Sequence, residues 1–172
     1  MVTLLFIPLL LSRNLGIIPE KAGEWMKVLI DADACPVTDI AVSLCRKYRT
    51  QCIILCDTAH AMHKEGAVTL VLDKGSDSVD FALVNRTEPG DIVITQDYGL
   101  ASMCLARTGY ILHQDGWFYT QDNISGLMEQ RHAARKYRSV GGRTKGPGKR
   151  TRQQNNSFAS ALEALLQTVS QG

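Results

Sequence analysis

The sequence contains no apolar run of the roughly 20 residues needed to cross a bilayer. Its best candidate, LLFIPLLL at residues 4–11, is far too short, and it lacks the basic start and small-residue cleavage site of a secretory signal. No membrane association is therefore expected. Cysteine is present without any C-x-x-C spacing: Cys35, Cys45, Cys52, Cys56 and Cys104 are odd in number, which points away from a disulfide framework or a zinc knuckle and fits a reducing, cytoplasmic compartment. Cys52 and Cys56 fall on one apolar run, where four residues of extended chain span roughly 13 Å, too far for two ligands of one zinc ion. All five read as core filler.

Acid is missing from one stretch. Residues 131–152 hold nine Arg or Lys and no Asp or Glu, although the net charge of the whole chain is only +2. The remainder is correspondingly acidic. Two readings stay open: a phosphate-rich partner that meets the basic segment while cations meet the acidic body, or a solvated basic loop. No internal repeat is present. With 172 residues, 45% of them hydrophobic and 21% charged, the chain can bury one sheet with helices on both faces and has no room for a second full domain. Residues 26–170 are expected to form that domain, with a basic loop at 141–152. Because Met26 directly precedes the first strand pattern, residues 1–25 read as an upstream or flexible extension, with a short membrane-surface anchor as the competing reading.

Apolar runs recur at 27–31, 51–57, 67–73, 91–95 and 110–113, near-continuous in Val, Ile and Leu as a parallel sheet covered by helices demands. Between and after them lie helical patterns at about 36–49, 78–87, 98–108, 122–138 and 157–169. Alternating strand and helix means βαβ units, so the expected class is α/β, a three-layer α/β/α arrangement with a mainly parallel five-stranded sheet. Pro36 suits a first helical turn, Ser76 or Asp77 can cap the helix at 78, and Pro89-Gly90 ends it. Asp115-Gly116 predicts a two-residue turn and a C-terminal hairpin arm built on the last core strand.

Four of the five strand candidates run into an aspartate: Asp31 with Asp33, Asp57, Asp73 and Asp97. In a parallel sheet these fall on one edge, outside the carboxyl ends of the strands, where open α/β sheets bind ligands. Asp31 and Asp33 project the same way about 6–7 Å apart in extended chain, and Asp77 and Asp80 lean in from a helix start. Converging carboxylates call for a cation, and oxygen ligands favour Mg²⁺ or Mn²⁺, whose chemistry is hydrolysis of a phosphate ester. The plainer reading is a helix cap, favoured for Asp57 and Asp77, open for Asp33, and set second to function for Asp31 and Asp97. His60 and His63 in HAMH form only a weak metal pattern, His113 and His132 read as packing or surface residues, and Trp117, Phe118 and Tyr119 read as hairpin packing.

The segments VLIDADACPV (28–37), GSDSVD (75–80), GDIVITQDYGLA (90–101), YTQDNI (119–124) and RTKGPG (143–148) resemble the YaiI/YqxD family of uncharacterised bacterial proteins, in order over about 26–166. That family is placed near the PIN-like nucleases, which cut RNA with Mg²⁺ or Mn²⁺ held by acids at strand ends. The resemblance implies Asp31 as the first-strand acid, Asp80 with Asp77 as the helix acid, and Asp97 as the acid after the fourth strand with Thr95 beside it. The helix acid is more often Glu in PIN domains, and the fourth PIN acid has no counterpart just past Asp97, so Asp33 stands in for it. The expected function is a divalent-metal-dependent nuclease acting on RNA. Asp31, Asp33, Asp80 and Asp97 hold the ion, Thr95 orients a water or ligand, and Arg143, Lys145, Lys149 and Arg150 grip phosphates. Two alternatives stay open: a non-catalytic RNA-binding module, and a phosphatase of the haloacid dehalogenase type using the D-x-D of Asp31 and Asp33.

Overall fold

In the computed structural model, which describes residues 26–33, 35–73, 78–142 and 148–170, strand β1 (Lys27–Asp31) runs through the middle of the sheet. Helix α1 (Thr38–Tyr48) returns the chain to β2 (Gln51–Asp57), which is followed by the edge strand β3 (Val68–Leu72). Helix α2 (Ser78–Arg86) then crosses back to β4 (Ile92–Ile94) on the other side of β1. Helix α3 (Tyr98–Cys104), β5 (Tyr110–Leu112), β6 (Phe118–Tyr119), α4 (Gln121–Ser139) and α5 (Arg152–Ser170) complete the chain. The strand order is β3-β2-β1-β4-β5-β6, parallel throughout except that β6 runs antiparallel to β5.

Period-2 alternation divides the strands between two cores. Val28, Ile30, Ile54, Ile92, Ile94 and Leu112 face α1 and α5, where Val42, Cys45, Phe158 and Leu162 meet them. Leu29, Leu55, Val93, Ile111 and Tyr119 face the other way, against Leu83 of α2, Leu100 and Cys104 of α3, and Ile124 of α4. The cysteines are all free, and all but the half-buried Cys35 are buried, as packing residues should be. Among the described residues no helix is long and apolar enough to cross a membrane.

The α/β class stands, with corrections. The sheet has six strands, not five, because the hairpin arm joins it: Ile111 pairs with Tyr119 and Leu112 with Phe118. The turn is longer than two residues: the His113 amide bonds the Trp117 carbonyl at 2.9 Å, so Gln114, Asp115 and Gly116 close it. Gly116 adopts φ +87° and donates its amide to the His113 carbonyl at 2.9 Å, a turn closed by a left-handed residue that only glycine adopts cheaply. A Cβ there would also lie 2.5 Å from the Ser157 carbonyl carbon, so the hairpin tip rests directly on α5. The layering is uneven as well. α4 anchors through Ile124 and Leu127 and then leaves the core, and the edge strand β3 keeps Val68 and Val71 about half exposed, since no strand among the described residues pairs beyond it. Pro89-Gly90 forms the turn before β4, with Gly90 at φ +94° and the Asp91 amide on the Glu88 carbonyl at 3.1 Å. The proposed caps Ser76 and Asp77, and the extension 1–25, lie outside the described residues.

Asp91 shows what an aspartate does at the opposite, amino-terminal edge of this sheet. Fully buried, it accepts the Lys27 amide at 3.0 Å and the Glu88 amide at 2.8 Å, and pairs with Lys27 Nζ at 2.7 Å. Asp91→Ala leaves those donors without their acceptor, and is expected to cost about 3 kcal/mol, the range for breaking a buried pair. Urea unfolding measures it; a loss below about 1 kcal/mol contradicts the assigned role.

Candidate functional site

The chain leaves β1 toward one face of the sheet and β4 toward the other, and this divergence opens a crevice between their carboxyl ends. Asp31 is the last residue of β1, and Thr95 immediately follows β4. The Thr95 hydroxyl, only 1% exposed, donates to Asp31 Oδ2 at 2.7 Å and accepts the Asp97 amide at 2.9 Å. Its backbone is held in turn, N–H to the Leu112 carbonyl at 3.2 Å and C=O from the Tyr119 hydroxyl at 3.4 Å. Thr95 thus links β4, β5 and β6 to the Asp31 carboxylate at the end of β1.

Asp31 is 8% exposed. Burial pushes its pKa up to about 6; the Thr95 hydrogen bond works against that, and the charges of Asp80, Asp33 and Asp97 add to it. Asp80 stands in the first turn of α2. Asp97 caps α3, accepting the Gly99 amide at 2.7 Å and the Leu100 amide at 3.1 Å on Oδ1, while its Oδ2 meets Arg131 of α4 at 2.9 Å. Asp97 is therefore a helix cap that also borders the pocket. Asp31, Asp33, Asp80 and Asp97 line a common pocket of about 470 Å³ together with Gln96, Tyr98 and Arg131. The cluster fits a cation: four carboxylates line it, burial raises the pKa of Asp31, the most buried of them, and the Arg131 guanidinium pairs with Asp97.

The pocket opens into a groove of about 700 Å³ that shares Asp80, Asp97, Tyr98 and Arg131 and continues along α4 past His132, Arg135 and Arg138. Phe81, 58% exposed, and Met128 form its apolar wall. A capping box starts α4, Thr120 accepting the Asn123 amide at 3.3 Å and Asn123 Oδ1 accepting the Thr120 amide at 3.0 Å, and this fixes the helix that carries the arginines.

The sequence-derived residues divide clearly. Asp31, Asp33, Thr95, Asp80 and Asp97 converge; Asp77, Arg143 and Lys145 lie outside the described residues. Lys149 is exposed, whereas Arg150 is half-buried and spent inside the protein, on Asp115 at 2.7 Å, on Asn155 at 2.6 Å and on the Gln114 carbonyl. It pins the hairpin tip to α5. Asp57 takes the Ala59 and His60 amides, at 2.8 and 2.9 Å, in a tight turn. His113 stacks on Trp117 with centroids 4.3 Å apart, its pKa lowered by burial, and Tyr119 is fully buried. Arg135 and Arg138 belong to the basic stretch 131–152 noted in the sequence, although the phosphate grip was expected from 143–150; Phe81 was not among the expected residues. The signal was there in the spacing of Arg131, Arg135 and Arg138, three to four apart on one helical face.

Three curated relatives, each a UPF0178 protein, cover nearly their whole length with this chain. That of Exiguobacterium sibiricum is 50% identical over 82% of this chain and 96% of its own. That of Natranaerobius thermophilus is 41% identical over 82% and 96%, and that of Ruminiclostridium cellulolyticum 40% over 86% and 96%. No solved structure matches the chain significantly. Residues 29–168 match the family described as uncharacterized BCR, YaiI/YqxD, so the chain belongs to the YaiI/YqxD family.

Proposed function

We propose that this protein hydrolyses phosphodiester bonds in RNA with Mg²⁺ or Mn²⁺. The observation that carries the reading is the buried Asp31, its pKa raised by burial, among three further carboxylates, in a pocket continuous with an arginine-lined groove. Asp31, Asp80 and Asp33 would hold the ion, with Asp97 contributing at the expense of its Arg131 contact. The ion would polarise the phosphoryl group and lower the pKa of a bound water. Thr95 holds Asp31 Oδ2 and so sets how the carboxylate faces the pocket. Arg135 and Arg138 would contact phosphates, and the exposed Phe81 ring and Tyr98 offer faces for unstacked bases. The parallel sheet, the acids at its carboxyl edge and the helix acid Asp80 support a PIN-like reading of the fold, and the cytoplasm is the compartment proposed from the free cysteines.

Binding without catalysis is the second reading, favoured by one observation: both oxygens of Asp97 already have partners. Cleavage decides between the two. Purified protein with Mn²⁺ is expected to cut a mixed-sequence single-stranded RNA, and Asp31→Asn to lower the rate at least about 100-fold; undiminished cleavage by that variant, or intact RNA with the parent, sinks the nuclease proposal.

The charge of Asp31 also has a stability signature. Its folded pKa, about 6, stands above the unfolded value of 3.8, so the folded state keeps its proton longer and the penalty builds as pH rises between those values. The shift of roughly two pH units corresponds to about 3 kcal/mol. Metal-free Asp31→Asn is accordingly expected to unfold at a higher temperature than the parent at pH 7, and the gap to close near pH 4; Mn²⁺ should raise the parent's transition more than the variant's. A parent as stable as the variant at pH 7 in EDTA contradicts the burial argument.

Arg135 and Arg138 supply the third test. Changing both to Ala is expected to weaken RNA binding and flatten its salt dependence by about two counterions' worth of slope, with the cleavage rate at saturating RNA kept. An unchanged slope removes α4 from the interface.

A further inference from the structure

We infer that Asp33, Asp57 and His60 form a second metal site, for a borderline divalent ion such as Zn²⁺, at the rim of the Asp31 pocket. This goes beyond the hydrolytic reading and does not rest on it. One ligand atom from each residue lies within 4.8 Å of the other two. Asp57 ends β2 and folds the next residues into a turn by accepting the amides of Ala59 and His60 on Oδ1. That turn sets His60 Nδ1 2.8 Å from Asp57 Oδ1 and 3.5 Å from Asp33 Oδ1.

Asp33 Oδ1 is under-satisfied. The atom is screened from solvent and has no hydrogen-bond partner among the described residues, with His60 Nδ1 3.5 Å away, while the side chain as a whole is 35% exposed. A carboxylate oxygen shielded from water in this way is open to an ion. A four-coordinate ion with bonds of about 2.1 Å places neighbouring ligand atoms about 3.4 Å apart. The His60 to Asp33 separation already has that span, and the His60 to Asp57 contact of 2.8 Å must widen by about 0.6 Å once Nδ1 gives up its proton to a solvent base and turns its lone pair to the ion. The donor set of two carboxylates and one imidazole is neither the all-oxygen set of Mg²⁺ nor the thiolate set of structural zinc, and the affinity order of first-row ions favours Zn²⁺ over Mn²⁺ at such ligands. Three protein ligands leave a coordination position open to water or an anion. Since Asp33 also lines the Asp31 pocket, that position borders it.

Zinc binding to the full chain is measured by calorimetry in excess Mg²⁺, for the parent and for His60→Ala, Asp33→Asn and Asp31→Asn. The expected result is one zinc ion per chain, weakened at least about tenfold by His60→Ala and by Asp33→Asn, and retained in Asp31→Asn. His60 is exposed, and thermal unfolding of His60→Ala without metal is expected to match the parent. A zinc soak should give an anomalous peak in contact with His60 Nδ1. No zinc binding at micromolar concentration, binding insensitive to both His60→Ala and Asp33→Asn, or a peak at the cysteines or at Asp31 alone would each overturn the assignment. Loss of zinc at His60 with RNA cleavage intact defeats only this inference, and zinc at His60 with uncut RNA defeats only the nuclease proposal.

Discussion

A single hydroxyl holds the carboxyl edge of the sheet together. Thr95 follows β4, and its Oγ1 joins the Asp31 carboxylate of β1 to the Asp97 amide at the start of α3. Its own backbone is fixed by β5 and by the buried Tyr119 hydroxyl of β6. Four strands therefore meet at one residue, through its side chain and its backbone, at the point where the strand order reverses. The carboxylate it meets is expensive to bury, and that expense is what makes the pocket a candidate for a cation.

Aspartates at the two edges of this sheet illustrate how environment assigns a role to one residue type. Asp91, at the amino-terminal edge, is surrounded by donors, two amides and an ammonium, and its charge is fully compensated. Asp31, at the carboxyl edge, has one hydroxyl and three neighbouring acids. The first arrangement stabilises the fold, and the second stores an electrostatic deficit that a ligand can relieve. Asp97 stands between them, half committed to capping α3 and half to Arg131.

Strands and helices were legible because their signals are local. The apolar runs at 27–31 and 51–57 coincide with β1 and β2, and the pattern at 122–138 with α4 to within one residue at each end. Where the reading missed, apolar periodicity was the wrong signal. α5 begins at Arg152 rather than near 157 because Thr151 and Gln154 form a capping box, Thr151 Oγ1 accepting the Gln154 amide at 3.2 Å and Gln154 Oε1 the Thr151 amide at 2.8 Å. The exposure of β3 follows from its place at the sheet edge, which its near-continuous Val and Leu do not disclose.

By itself the sequence determined the α/β class, the one-edge placement of Asp31 and Asp97, and the basic character of the stretch that includes α4. These follow from residue type and spacing along the chain. Tertiary structure alone decided which charges meet: that Thr95 grips Asp31, that Arg131 neutralises Asp97 and Arg150 is consumed by the hairpin, and that Asp33 turns toward His60. The physical reason is that a side chain's partner depends on strand order and on the direction each connection takes. Residues 64 positions apart, such as Asp31 and Thr95, become neighbours only once β4 has been laid against β1.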